Sequence, residues 1–146
     1  MSMSLDAYLE AHGVRSEEGH VQETSKVPVE AAFLADAMRR PEVRRVMEIG
    51  FSAGHSAELF LRNGAATDAR VVSFDLGTYP CATVGKAFLD ARYPGRHAWV
   101  LGDSTETVLR YAREHPGETF DLIFIDGGHD YKTARADLRK IGRAHV

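Results

Sequence analysis

The chain has 146 residues, of which 44% are hydrophobic and 27% charged, and its formal net charge is -3. That length supports one domain with a real core, and the mixing of acidic and basic residues gives no reason to expect a nucleic-acid partner. A single cysteine, Cys81, excludes a disulfide framework or a cysteine zinc cluster.

No apolar run is long enough to span a bilayer; DLIFID (121–126) is typical. The start, MSMSLDAYLEAHG, has neither a basic segment nor an apolar signal core. A cytoplasmic protein without a membrane partner is the expectation. No repeat or low-complexity segment is present.

In chain order, residues 3–12 read as a short amphipathic helix, with Leu5, Tyr8 and Leu9 on one face and Gly13 past its end. Residues 14–27 are polar and irregular. Pro28 opens a second helix, in which Phe33, Leu34, Ala37 and Met38 recur at helical spacing, and Pro41 ends it. From there strands and helices alternate. Strands are expected at 43–49, 70–75, 97–102 and 120–126. Helices are expected at 55–63, 82–92, 105–115 and 131–141. Short β-rich runs separated by helices of about three turns indicate βαβ units. The fold class is therefore α/β: a Rossmann-like, doubly wound parallel sheet of which the first four strands and their helices are present, with helices on both faces. Residues 1–27 form a lead-in, 28–140 a partial domain, and 141–146 a tail.

That tail, IGRAHV, looks like translated sequencing adapter, and a doubly wound domain seldom stops one helix after its fourth strand. The natural sequence is expected to continue.

Sheets of this kind bind ligands at the carboxyl ends of their strands. The four strands end in Glu48-Ile49-Gly50, in Asp75, in Gly102-Asp103 and in Asp126-Gly127-Gly128-His129. Each acid has an ordinary structural explanation. Aspartate favours turns, and Asp103 with Glu106 is a good capping pair. Four acids on one rim are harder to explain that way.

VMEIGFSAGHS (46–56) resembles motif I of the class I S-adenosylmethionine-dependent methyltransferases, an acid-x-Gly-x-x-x-Gly loop. VVSFDLG resembles their second motif and VLGDSTETV their third. FDLIFIDGGHDY is similar to the fourth strand of the O-methyltransferase branch that includes catechol-type and sugar-type enzymes. The resemblance spans about residues 25–140 and lies in order and spacing, since motif I alone is a weak pattern. It implies S-adenosylmethionine as cofactor. Asp75 would then take the ribose hydroxyls, and Asp103 or its neighbour Ser104 would face the adenine amino group.

The residues suit such a ligand on chemical grounds. Gly50 and Gly54 let backbone approach it closely. The amides at the following helix start, with Ser52 and Ser56, can meet a carboxylate. Glu48 would lie near the sulfonium and ammonium ends, since a buried carboxylate without a cation is costly. Asp75 can accept charge-assisted bonds from two hydroxyls. A nicotinamide dehydrogenase is the nearest competitor, but its fingerprint is G-x-G-x-x-G, and Ser52 stands two after Gly50.

For catalysis, the resemblance to the catechol-type enzymes implies that Asp126, counted also in the cofactor site, is a magnesium ligand. It implies a base three residues on, where His129 replaces their lysine. A histidine can accept a hydroxyl proton near neutral pH. The alternative makes 126–128 a turn and His129 a cap. One aspartate does not make a magnesium site, and the family's other ligands would come from a later strand. Asp130 and Tyr131 are rim candidates, His55 can touch the cofactor or face solvent, and Cys81 and Trp99 read as packing residues. Phe74, Leu76 and Tyr79 are candidates for an adenosine pocket. The expected partner is a small-molecule hydroxyl acceptor, with a homo-oligomer left open. A non-catalytic cofactor-binding module is the other hypothesis.

Overall fold

The structure is a computed structural model. It describes residues 3–15 and 28–127 together with Arg135 and Arg139. The expected helix at 131–141 therefore lies outside the described residues, apart from those two helical, exposed arginines. His129, Asp130 and Tyr131 lie outside them as well.

Helix α1 (Leu5–Ala11) starts where the Ser4 side chain accepts a hydrogen bond from the Ala7 amide at 3.2 Å, and it buries Leu5 and Leu9. Helix α2 (Pro28–Met38) buries Leu34, Ala35 and Met38. Phe33, expected on that stripe, is 70% exposed, and Val29 one turn earlier is 78% exposed. The narrow seam of Leu34, Ala35 and Met38 leaves the adjacent Phe33 turned outward.

Strand β1 (Arg45–Ile49) leads to helix α3 (His55–Asn63), which Gly64 closes by donating to the Phe60 carbonyl at 2.8 Å. A 3-10 turn at Ala65–Thr67 connects to β2 (Arg70–Asp75). Helix α4 (Pro80–Arg92) begins two residues before the expected start at 82, with Pro80 in the first turn, where its missing N–H is no loss. Strand β3 (His97–Leu101), α5 (Ser104–Glu114) and β4 (Leu122–Ile125) follow. Strand β4 starts later than expected because Asp121 is a cap: its carboxylate accepts from the Arg44 and Arg45 amides, each at 2.9 Å.

The four strands are parallel, in the order β3-β2-β1-β4. Side chains alternate between faces. Val46, Glu48, Val71, Ser73, His97, Trp99, Leu122 and Phe124 share one face, which α1 to α4 cover with a core that includes Phe51, Phe60 and Leu89. Met47, Ile49, Val72 and Phe74 are buried on the other face against Val108 and Tyr111 of α5. Cys81 is buried and Trp99 packs beside Phe51 with ring centroids 5.5 Å apart, both as the sequence suggested. Among the described residues no helix is long and apolar enough to cross a membrane.

Candidate functional site

The ladders run on past the last strand residues and bring four turns to one rim. Gly50 N donates to Phe74 O at 2.9 Å, Asp126 N to Ile49 O at 2.8 Å, and Gly102 N to Asp75 O at 2.9 Å. The chain after β1 then makes a tight turn with positive φ at Gly50 (97°), Ser52 (48°) and Gly54 (89°). Only glycine serves at position 50, for two reasons. Its φ is disfavoured for other residues, and a Cβ there would overlap the Asp126 carbonyl on the neighbouring strand. The close approach that Gly50 permits is thus first of all between β1 and β4. Gly54 is the N-cap of α3, with the Phe51 ring 2.7 Å from where its Cβ would be.

Asp75 ties this turn down. One oxygen of its carboxylate, Oδ2, accepts from the Phe51 and Ser52 amides at 2.8 and 3.2 Å, and the other, Oδ1, from the Gly77 amide at 2.6 Å. A carboxylate offers about four lone-pair sites, so three amides leave room on Oδ1 for a hydroxyl of a ligand. Gly54 makes no side-chain cap bond, so no side-chain oxygen of the cap residue meets the first amides of α3.

Glu48 sits one residue inside the rim and points into the covered face, with 0% of its surface exposed. Ser56 donates to its Oε1, and Ser73 donates to its Oε2 at 2.5 Å. The hydroxyl of Ser56 is therefore turned inward onto Glu48. Burial pushes the Glu48 carboxyl up to about 7, the two serine bonds oppose this, and the negative charges of Asp75 and Asp126 add to the rise. Among the described residues no lysine, arginine or histidine forms an ion pair with Glu48.

Asp103 and Ser104 begin α5. The Asp103 side chain accepts from the Thr105 amide at 2.7 Å, the capping role that the sequence offered as its ordinary reading, and Ser104 is half-buried. Asp126 is exposed at the end of β4. The structure thus brings Gly50, Ser52, Gly54, Asp75 and Asp126 together around one turn, with Glu48 and Ser56 beneath it. No group of three or more metal-binding side chains forms among the described residues. Asp126 by itself does not fit a magnesium site.

Three participants were not singled out from the sequence. Gly85 of α4 packs onto the turn so closely that a Cβ would overlap the Ala53 carbonyl. Ser73 and His97 sit under Glu48, with His97 Nε2 2.9 Å from Ser73 Oγ. Period-two alternation places Ser73 and His97 on the Glu48 face once the register is known. The pairings Glu48↔Ser73 and Val71↔His97 supply that register.

A parallel 3-2-1-4 sheet with an acidic rim around a glycine turn defines an α/β domain built to hold a nucleoside-type cofactor. The chain belongs to the family described as "Methyltransferase domain", whose model matches residues 47–144. No curated protein matches it by sequence. Among solved structures it is similar to an S-adenosylhomocysteine-bound Podospora anserina methyltransferase, with a TM-score of 0.75 and 18% identity, over 99% of this chain and 58% of that one. It is similar to an O-methyltransferase from Bacillus cereus in complex with S-adenosylhomocysteine, with a TM-score of 0.67 and 20% identity, over 96% and 67% of the two chains. A TDP-rhamnose 3'-O-methyltransferase of calicheamicin biosynthesis gives a TM-score of 0.61 and 24% identity, over 96% and 70%. The chain therefore spans little more than half the length of the Podospora protein. These likenesses confirm the expected fold, and family membership favours the methyltransferase reading over the dehydrogenase one.

Proposed function

We propose that the protein binds S-adenosylmethionine and takes part in methyl transfer to a hydroxyl oxygen of a small molecule. The observation that carries this reading is the charge around the turn. A fully buried Glu48, with no lysine, arginine or histidine paired to it among the described residues, lies beneath Asp75 and Asp126. Such a site repels the pyrophosphate of a dinucleotide and favours a cationic nucleoside.

When bound, the cofactor supplies an activated methyl group on a sulfonium. The chain's own residues bind and orient it. Asp75 offers its remaining Oδ1 capacity to a ribose hydroxyl, the α3 amides receive the carboxylate of the amino-acid end, and Glu48 offsets the cationic end from below. Asp103 or Ser104 faces the adenine. His129, three residues after Asp126, takes the proton of the acceptor hydroxyl. Asp126, a single carboxylate, does not make a divalent-cation site among the described residues. Catechol-like and sugar hydroxyls are the acceptor classes to try first.

Calorimetry tests the cofactor assignment. S-Adenosylhomocysteine should bind the wild-type chain and bind Asp75→Ala at least about tenfold more weakly, the loss expected for a charge-assisted contact. Equal affinity in a folded variant contradicts the ribose role. His129→Ala should keep cofactor affinity while losing methyl transfer to a responsive acceptor, and unchanged turnover removes it as the base.

A further inference from the structure

Beneath the rim lies a continuous buried chain of polar groups: Ser56, Glu48, Ser73 and His97. The cofactor reading uses Glu48 and leaves the other end, His97, without a task. His97 is buried (8% exposed) on β3, its ring stacked on Phe51 with centroids 5.1 Å apart and planes at 22°. Its Nε2 lies 2.9 Å from Ser73 Oγ, and its Nδ1 is buried without a hydrogen-bond partner among the described residues.

Proton counting gives this chain a direction. A serine hydroxyl has one proton to donate. With Glu48 ionised, as it mostly is above pH 7, Ser73 places its proton on Oε2, so toward His97 it can only accept. Nε2 must then carry the imidazole proton, which leaves Nδ1 as a bare lone pair. That fits the orphaned Nδ1, because a buried acceptor without a partner is tolerated better than a buried N–H. The opposite tautomer would bury an unpaired N–H, turn the Ser73 proton toward His97, and take a donor away from Glu48.

We infer that His97 is a positioning residue of the cofactor site: donating from Nε2, it holds the Ser73 proton on Glu48 and so keeps that carboxylate a hydrogen-bond acceptor beneath the glycine turn. The inference rests on the proposed binding of S-adenosylmethionine at that turn. Burial keeps the ring neutral, as the role requires, by lowering the His97 pKa to about 4. Lys86 of α4 pushes in the same direction and Asp90 of α4 opposes it. On the carboxylate side, the charged groups that bear on Glu48 are Asp75 at the end of β2 and Asp126 at the end of β4.

Two measurements on the full chain test this. Nitrogen-15 NMR of the histidine rings near pH 7.5 should show His97 as the Nε2–H tautomer, with and without S-adenosylhomocysteine. A Nδ1–H tautomer or an imidazolium overturns the relay. In calorimetry, His97→Phe keeps an aromatic ring beside Phe51 but cannot donate, and should weaken S-adenosylhomocysteine binding by about tenfold. His97→Gln, whose amide nitrogen can reach the Nε2 position, should restore affinity to within about twofold of wild type. Wild-type affinity in a folded His97→Phe overturns the proposal. If His97→Phe loses its cooperative melt, the wild-type tautomer decides instead. Failure of the wild-type chain to bind contradicts the proposed function itself, and the tautomer then decides the relay alone.

Discussion

The two halves of the rim use their acids differently. At the ends of β1 and β2, Asp75 binds three backbone amides and Glu48 is sealed under the turn by two serines. At the ends of β3 and β4, Asp103 caps a helix and Asp126 stands exposed. The first half is built from carboxylates bonded to the amides of the turn and to two buried serines. The acids of the first half thus belong to the fold's own hydrogen bonding, and Asp126 differs from them in its exposure.

Changes to the built half should cost the most. Gly50→Ala combines a positive φ with overlap of the Asp126 carbonyl, and should destabilise by about 3 kcal/mol. Urea denaturation measures this, and a loss below about 1 kcal/mol would mean that the β1 and β4 turns are not held that closely. Gly85→Ala, which meets the Ala53 carbonyl, should show a similar loss.

Stability against pH sharpens the comparison. The Glu48 carboxyl, raised to about 7 from 4.5, lends stability that is full below pH 4.5 and is lost as pH rises to about 7. The His97 ring, lowered to about 4 from 6.5, lends stability that is present above pH 6.5 and is lost as pH falls to about 4. Between pH 4.5 and 6.5 the two slopes oppose one another, so this pair contributes almost no net dependence. Relative to wild type, His97→Gln should therefore lose stability as pH rises through that window, and Glu48→Gln as pH falls through it. Each effect is on the order of 3 kcal/mol over its full span. Parallel pH profiles for both variants and wild type would show that the two groups are not buried together.

The smallest effect on folding is expected at exposed Asp126. Asp126→Asn should change stability by less than about 0.5 kcal/mol and leave S-adenosylhomocysteine affinity within about threefold, less than the loss expected from a direct charged contact. A variant as unstable as Gly50→Ala would place Asp126 with the structural acids.

Most of this arrangement was legible in the sequence. The bounds of β2 and α3 are those expected, because glycine, proline and the apolar runs punctuate the chain clearly. The common rim followed from parallel strands alone. What the letters hid depends on contacts between distant residues. Phe33 has the spacing of a buried residue but lies beside a seam too narrow for it. Glu48 shares a side with Val46, so alternation pointed it inward, yet its partner Ser73 appears only with the β1–β2 register. His97 reads as an unremarkable strand start until β3 is laid beside β2. Gly85 sits inside a helix, where nothing local explains it.

The central claim is that the acids around this turn select a cationic nucleoside, and competing titrations test it most directly. Calorimetry of the full chain at pH 7.5 with S-adenosylmethionine and, separately, with a nicotinamide dinucleotide should give micromolar or tighter binding for the first and none detectable for the second. Equal binding of both, or binding of the dinucleotide alone, would contradict the account.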